Sequence, residues 1–355
     1  MTRRAVGGVL ASAALISVLT VAARITGFGR WLALSGTVGA TCVGNAYASV
    51  NLLPNLLFEV MAGGALAAAV IPVLRGFAGP GADRVASALL TWTLLVLAPV
   101  SLGLAVFAGP LARAVIGVED CAGQHAMAAR MLVVFAPQVL LYGVGVVLTG
   151  VLQARHRFAG PAVAPLLSSL VVIVAYLGYG AAVGGRGGEV TGVSLPAPAF
   201  AWLAWGTTIG VVVLTLPLLI PVGRAGIRLR PELGFPDGVA RRVLRLTASG
   251  VAAVVAQQLF LLVVMLLANR RGLVGAYLVY GYTQAVALLP HAVLVVPLVT
   301  AVFPRLVARA GPGESFAAPT ARYARAVLVA GAIGAALLAA TAPGVAALFA
   351  ALDQG

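Results

Sequence analysis

Residues 24–74 read RITGFGRWLALSGTVGATCVGNAYASVNLLPNLLFEVMAGGALAAAVIPVL. The run is apolar enough to pass through a bilayer, yet it carries Arg24, Arg30 and Glu59. Ionisable groups at membrane depth are costly, so they face partners or watery cavities and mark function by default. The two arginines flank Gly27-Phe28-Gly29. In a straight helix, six residues of separation point them roughly 120° apart. A break at Gly27 and Gly29 would bring both guanidinium groups to one cavity wall, as broken helices do in transporters.

Working outward, the whole chain has this character. Of 355 residues, 61% are hydrophobic and 9% are charged, against about 25% charged in an ordinary soluble domain. Repeated apolar runs of about 20 residues or more predict an all-α polytopic membrane protein. About nine spans are expected, near 5–37, 45–74, 85–112, 126–152, 159–184, 196–222, 243–268, 273–304 and 318–350. The N-terminus has the basic start and apolar centre of a signal peptide, but its length predicts a retained first helix.

Net charge is +14, and every one of the 23 basic residues is arginine. The arginines cluster at span ends, which is a topology signature and not a nucleic-acid footprint. Arg3, Arg4, Arg84, Arg155, Arg157 and the group from Arg224 to Arg245 fall on one side, which places the N-terminus in the cytoplasm. Arg270-Arg271 dissents. The absence of lysine removes any Walker A motif. No cofactor or metal site is indicated, since the chain has no CxxC or Cys/His cluster. Nothing resembles a nucleophile elbow or paired catalytic carboxylates, so a transporter is expected and not an enzyme. This topology puts Cys42 and Cys121 in exterior loops, where a bridge forms if their Cα atoms come within about 7 Å.

A weak internal repeat relates the two ends. Leu53-Pro54-Asn55 recurs as Leu289-Pro290-His291, and Pro72 as Pro304. It divides the chain into a six-helix lobe at 1–223, a basic cytoplasmic linker at 224–242 and a partial second lobe of about three helices at 243–355. Gln257, Gln258, Thr283 and Gln284 are polar groups within spans, where hydrogen bonding between helices is the ordinary role.

The motifs Arg24-Ile25-Thr26-Gly27-Phe28-Gly29-Arg30, Asn45-Ala46-Tyr47, Leu53-Pro54-Asn55-Leu56-Leu57 and Ile71-Pro72-Val73-Leu74 occur in this order. Together with QARHRFAGPAVAP at 153–165, they resemble the MurJ/MviN family of lipid II flippases. The resemblance implies translocation of a lipid-linked peptidoglycan precursor across the bacterial cytoplasmic membrane, for cell-wall synthesis. It implies Arg24, Arg30, Glu59 and Asn55 as substrate-binding residues, with Gly27, Gly29, Asn45, Pro54 and Gln284 as cavity or hinge positions. Membrane lipids are implied partners; nucleic acid is not.

The chain also departs from the family pattern. Phe58-Glu59 stands where the family often has arginines, and its acids align with Asn45 and Gly63. A cavity arginine aligns with Ala285. Glu59 is expected to pair with Arg24 or Arg30, since a lone charge in lipid needs a partner. The family's usual chain is longer by about five helices. A second polypeptide supplying those helices, a truncated product, a non-transporting scaffold and an exporter of another amphiphile all stay open.

Overall fold

The computed structural model describes residues 3–62, 70, 73–74, 80–119, 121–235, 239–295 and 317–354. Gly63, Pro72, Pro236 and Pro304 lie outside the described residues. The described chain is helical throughout, with no strand. By contacts it divides into Met1–Leu278 with Gln354–Gly355, and Val279–Asp353.

The larger unit opens with α1, Arg3–Thr37, and α2, Cys42–Val60. Helix α2 starts three residues earlier than its apolar run predicts, because Thr41 caps it: its Oγ1 accepts from the Gly44 amide at 3.1 Å. Asn45 therefore sits inside the first turn, and so does Cys42. The bridge left open by the sequence is present, joining Cys42 to Cys121 with Cα atoms 6.2 Å apart.

The third predicted span is two helices, α3 (Pro80–Val106) and α4 (Ala108–Ile116). The fourth is also two, α5 (Gln124–Phe135) and α6 (Gln138–Ala154). Pro137 divides them, since it has no amide to continue the ladder. The Ser101 hydroxyl donates to the Ala136 carbonyl at this break, at 2.8 Å. Helix α7 is Ala159–Val183, and α8 is Ala197–Thr215. After a 3-10 turn containing Pro217 comes α9, Leu219–Arg224. Helix α10, Val239–Arg271, completes the unit and packs against α2 and α4.

Helices α7 and α8 form the closest pair. Gly206 and Gly210 lie one turn apart on α8, against Ala175 and Val172 of α7. A Cβ at either glycine would overlap those side chains, so the sequence Gly-Thr-Thr-Ile-Gly permits backbones to approach as small-xxx-small pairs do in membranes. Helix α1 lies against α7, and α3 against α6. A buried apolar cluster of Leu89, Val147, Val151, Leu152, Leu218 and Ile227 ties α3, α6 and the chain after α8 together.

The smaller unit holds most of α11, Ala276–Pro290, and α12, Ala317–Leu352. A π turn, His291–Val295, follows Pro290. Tyr282 stacks on Phe349 with ring centroids 5.0 Å apart. Seven described helical stretches are long and apolar enough to cross a membrane.

The break anticipated at Gly27 and Gly29 is absent. Helix α1 runs through both residues without interruption, and Thr26 Oγ1 returns its proton to the Ala22 carbonyl at 3.0 Å. The Thr26 hydroxyl is thus satisfied within its own helix.

Candidate functional site

The polar groups of the larger unit are assembled along α2. Its first turns face α4 and α10. Asn45 Nδ2 donates to Asn269 Oδ1 at 3.1 Å, and Asn269 Nδ2 donates to Ser49 Oγ at 2.8 Å and the Val115 carbonyl at 2.7 Å. All three side chains are buried. Asn269 lies just past the expected 243–268 span and is not singled out in the sequence; the signal that could have found it is an amide placed immediately before Arg270-Arg271.

Tyr47 comes next along α2 and is 2% exposed. Its hydroxyl lies 2.9 Å from that of Tyr176 and 3.0 Å from Thr207 Oγ1, which also donates to the Leu203 carbonyl. Beside it, Gln138 Nε2 donates to Thr208 Oγ1 at 2.8 Å. Thr208 gives its single proton to the Val134 carbonyl, which fixes the Gln138 amide with Nε2 toward the hydroxyl. Gln138 Oε1 is then buried with no partner among the described residues.

Pro54 is buried inside α2 and leaves the Val50 carbonyl without its intrahelical donor. Asn55 follows. Its Nδ2 donates to the Asn51 carbonyl at 2.7 Å, and its Oδ1 accepts from the Tyr142 hydroxyl at 2.9 Å. Phe58 lies against the Tyr142 ring with centroids 4.6 Å apart. One turn before Asn55 and Tyr142 stand Asn51 and Gln138, each with a buried side-chain oxygen that accepts nothing among the described residues. Asn45 Oδ1, in the Asn269 cluster, likewise accepts nothing among the described residues; unmade hydrogen bonds of this kind cost about 1–3 kcal/mol each.

Arg30 is half-buried on α1 and lies within electrostatic range of the Tyr47 and Tyr142 hydroxyls; Glu59 acts on Tyr142 as well. Arg24 and Glu59 are exposed. The expected ion pair between Glu59 and an arginine of α1 is not formed: the described ion pairs are Arg84–Glu232 and His125–Glu119. Depth separates Arg30 from Glu59. At 1.5 Å per residue, Arg30 is about 10 Å from the α1–α2 turn and Glu59 about 26 Å. The structure thus brings Asn55 and Tyr142 together, while Arg30 and Glu59 act on Tyr142 from different depths. It leaves Arg24 apart, assigns Asn45 to the Asn269 cluster and places Gln284, half-buried, in the other unit.

Below Asn55, a cavity of about 270 Å³ is bounded by Phe58, Tyr142, Thr149, Gln153, Pro165 and Thr215. This lies at the floor of the ~300–1,000 Å³ range of small-molecule pockets, too small for a whole glycosylated head group.

Helices long and apolar enough to cross a bilayer, a bundle held by small residues and neutral polar groups in its interior define a polytopic helical membrane protein. The sequence profile of the lipid II flippase MurJ family matches residues 34–351, and the chain belongs to that family. A probable lipid II flippase MurJ of Synechocystis sp. is 30% identical over 63% of this chain and 42% of its own length. The lipid II flippase MurJ of Burkholderia cenocepacia is 27% identical over 82% of this chain and 55% of its own. The chain spans about half the length of these curated relatives. Two solved structures share the fold. A lipid II flippase MurJ in an inward closed conformation superposes with TM-score 0.66 at 17% identity, covering 82% of this chain and 58% of that one. An inward-facing MATE family transporter of the MOP superfamily superposes with TM-score 0.67 at 15% identity, covering 92% of this chain and 72% of that one. The chain is a membrane protein of the bacterial cytoplasmic membrane.

Proposed function

We propose that the chain acts as a flippase, not as an enzyme, moving lipid II across the cytoplasmic membrane for peptidoglycan synthesis. Membership of the family supports the reading. The single structural observation that carries it is Arg30, a half-buried guanidinium with no ion pair among the described residues, within electrostatic range of the Tyr47 and Tyr142 hydroxyls on α2 and α6. A permanent cation with a planar fork suits a diphosphate, and neutral acceptors suit sugar hydroxyls. Asn55 takes a binding role next to it, and Arg24 and Glu59 line the route at other depths. Gly27, Gly29 and Pro54 supply the flexible positions of α1 and α2, and Gln284 belongs to the second lobe.

The lobes in this reading are residues 1–223 and 243–355, joined by the basic linker 224–242. Nine spans, counting α1 and α2 with the seven, put the N-terminus in the cytoplasm and Gly355 outside. Reporter fusions at Arg230 and Gly355 test this; a cytoplasmic signal at both sinks it.

A second reading is favoured by Glu59, an exposed acid where the family often carries arginine. In it the chain is a non-transporting partner in cell-wall assembly or moves another amphiphile, and a second polypeptide supplies further helices. Complementation of a flippase-depleted strain decides. Growth restored by the wild-type chain and lost in Arg30→Ala supports translocation. A chain that reaches the membrane and never restores growth overturns it.

A further inference from the structure

Residues 225–235, at the start of the proposed linker, are not a free connection. Arg84, Ser87 and Thr91 of α3 are spaced i, i+3, i+7 and so form one polar stripe on an otherwise apolar helix. The chain after α9 is pinned along it. Ser87 Oγ donates to the Arg228 carbonyl at 3.4 Å and accepts from the Arg230 amide at 3.0 Å. Thr91 Oγ1 accepts from the Glu232 amide at 3.1 Å, and Trp92 Nε1 donates to the Leu233 carbonyl at 3.1 Å. Arg84 reaches the Glu232 carboxylate at 3.8 Å.

Side chains alternate along this strap. Ile227 and Leu229 pack into the apolar cluster, while Arg228 and Arg230 are exposed. Successive side chains of an extended segment point to opposite faces, so the pinned register aims both arginines outward together. Neither has a carboxylate partner among the described residues. Beyond them, Leu233 is 61% exposed and Trp92 is 45% exposed. Tryptophan beside exposed leucine belongs at the boundary between hydrocarbon and headgroups. Ser87 precedes Trp92 by five residues, which places the arginines about 7 Å to the aqueous side. The headgroup layer is about 5–8 Å thick, so this is phosphate depth.

We infer that residues 225–235 form a preorganised site for anionic phospholipid headgroups, with Arg228 and Arg230 on the phosphates and Leu233 and Trp92 anchoring the strap at the interface. The inference stands apart from the transport reading, since it needs only that the chain sits in a bilayer. The occupant is a bilayer phospholipid: both arginines are exposed within a few residues of Leu233 and on the aqueous side of Trp92, where lipid phosphates are the anions at hand.

The test uses the full chain in nanodiscs, with Leu233→Cys carrying a fluorophore; the two native cysteines are bridged to each other. Quenching by chain-nitroxide phosphatidylglycerol is compared with quenching by the same label on phosphatidylcholine. A preference for phosphatidylglycerol of about fivefold per arginine is expected at low salt. It should persist in R228K/R230K and fall to within about twofold of unity in R228Q/R230Q. In the unaltered strap, about 1 M salt, where screening acts within about 3 Å, should abolish it without any substitution. Equal quenching by both lipids in the labelled parent overturns the inference, and so does a preference that survives both the glutamine variant and high salt.

Discussion

The two ends of α2 treat polar groups in opposite ways. Near its start, Asn45, Ser49 and Tyr47 are buried and joined to Asn269, Tyr176 and Thr207, and a disulfide fixes the same end to the residues before α5. Near its end, Glu59 is exposed and makes no ion pair among the described residues, and Asn55 is only partly buried. Neutral groups that satisfy one another stabilise a scaffold, because each hydrogen bond removes a desolvation cost. Exposed groups without a partner add little to stability and stay accessible to a ligand. One helix therefore carries a fastened end and a receptive end.

The fastened end gives the larger effects. The Cys42–Cys121 bridge closes a loop across a sequence separation of 79 residues. By the loop-entropy relation its removal in Cys42→Ala/Cys121→Ala should lower stability by about 4 kcal/mol, seen as a drop in Tm of the detergent-purified chain. An unchanged Tm would mean that this end is held by helix packing alone. Next, Asn269→Leu strips partners from Asn45, Ser49 and the Val115 carbonyl at once, and should cost about 2–3 kcal/mol in the same assay. Asn45→Ala removes only the donor to Asn269 Oδ1 and should cost less. If the two variants lose equally, the cluster is not the fastening device.

Arg30, on α1, should respond in translocation and not in stability. Arg30→Ala should lower lipid II translocation in proteoliposomes about tenfold, equivalent to about 1.4 kcal/mol, with Tm shifted by no more than a degree or two. Arg30→Lys keeps the charge and loses the fork, so it should fall between the two. A large Tm loss with translocation preserved per folded molecule would return Arg30 to a structural role.

These contrasts also explain what the sequence could show. The membrane class, the all-helical fold and the family were legible, because apolar runs and short motifs are local. The breaks at Phe107 and Ala136-Pro137 were not drawn, since each lies inside one continuous apolar run and splits it without changing its hydropathy. The strap on α3 was hidden for a different reason. Ser87 and Thr91 are common in spans, and only the fold brings residues 228–233 beside them. The Glu59 pairing depends on which helices pack and in what register: α1 lies against α7, and neither fact is carried by residue type. Asn55 was legible from its motif, but its partner Tyr142 lies 87 residues away and carries no local mark.

The smallest expected effect is the sharpest test of the comparison. Glu59 is exposed and makes no ion pair, so Glu59→Gln should shift stability by less than about 0.5 kcal/mol, as surface substitutions do. Were Glu59 instead neutralising an arginine of α1, the glutamine variant would leave that cation uncompensated in the bilayer and would lower both expression and Tm. Combining Glu59→Gln with Arg24→Ala separates the two cases. Independent residues add, so the double variant should equal the sum of the singles within about 0.5 kcal/mol. A rescue, with the double variant more stable than Arg24→Ala alone, would show a coupling that the observed geometry does not contain, and would move Glu59 from the receptive end to the fastened one.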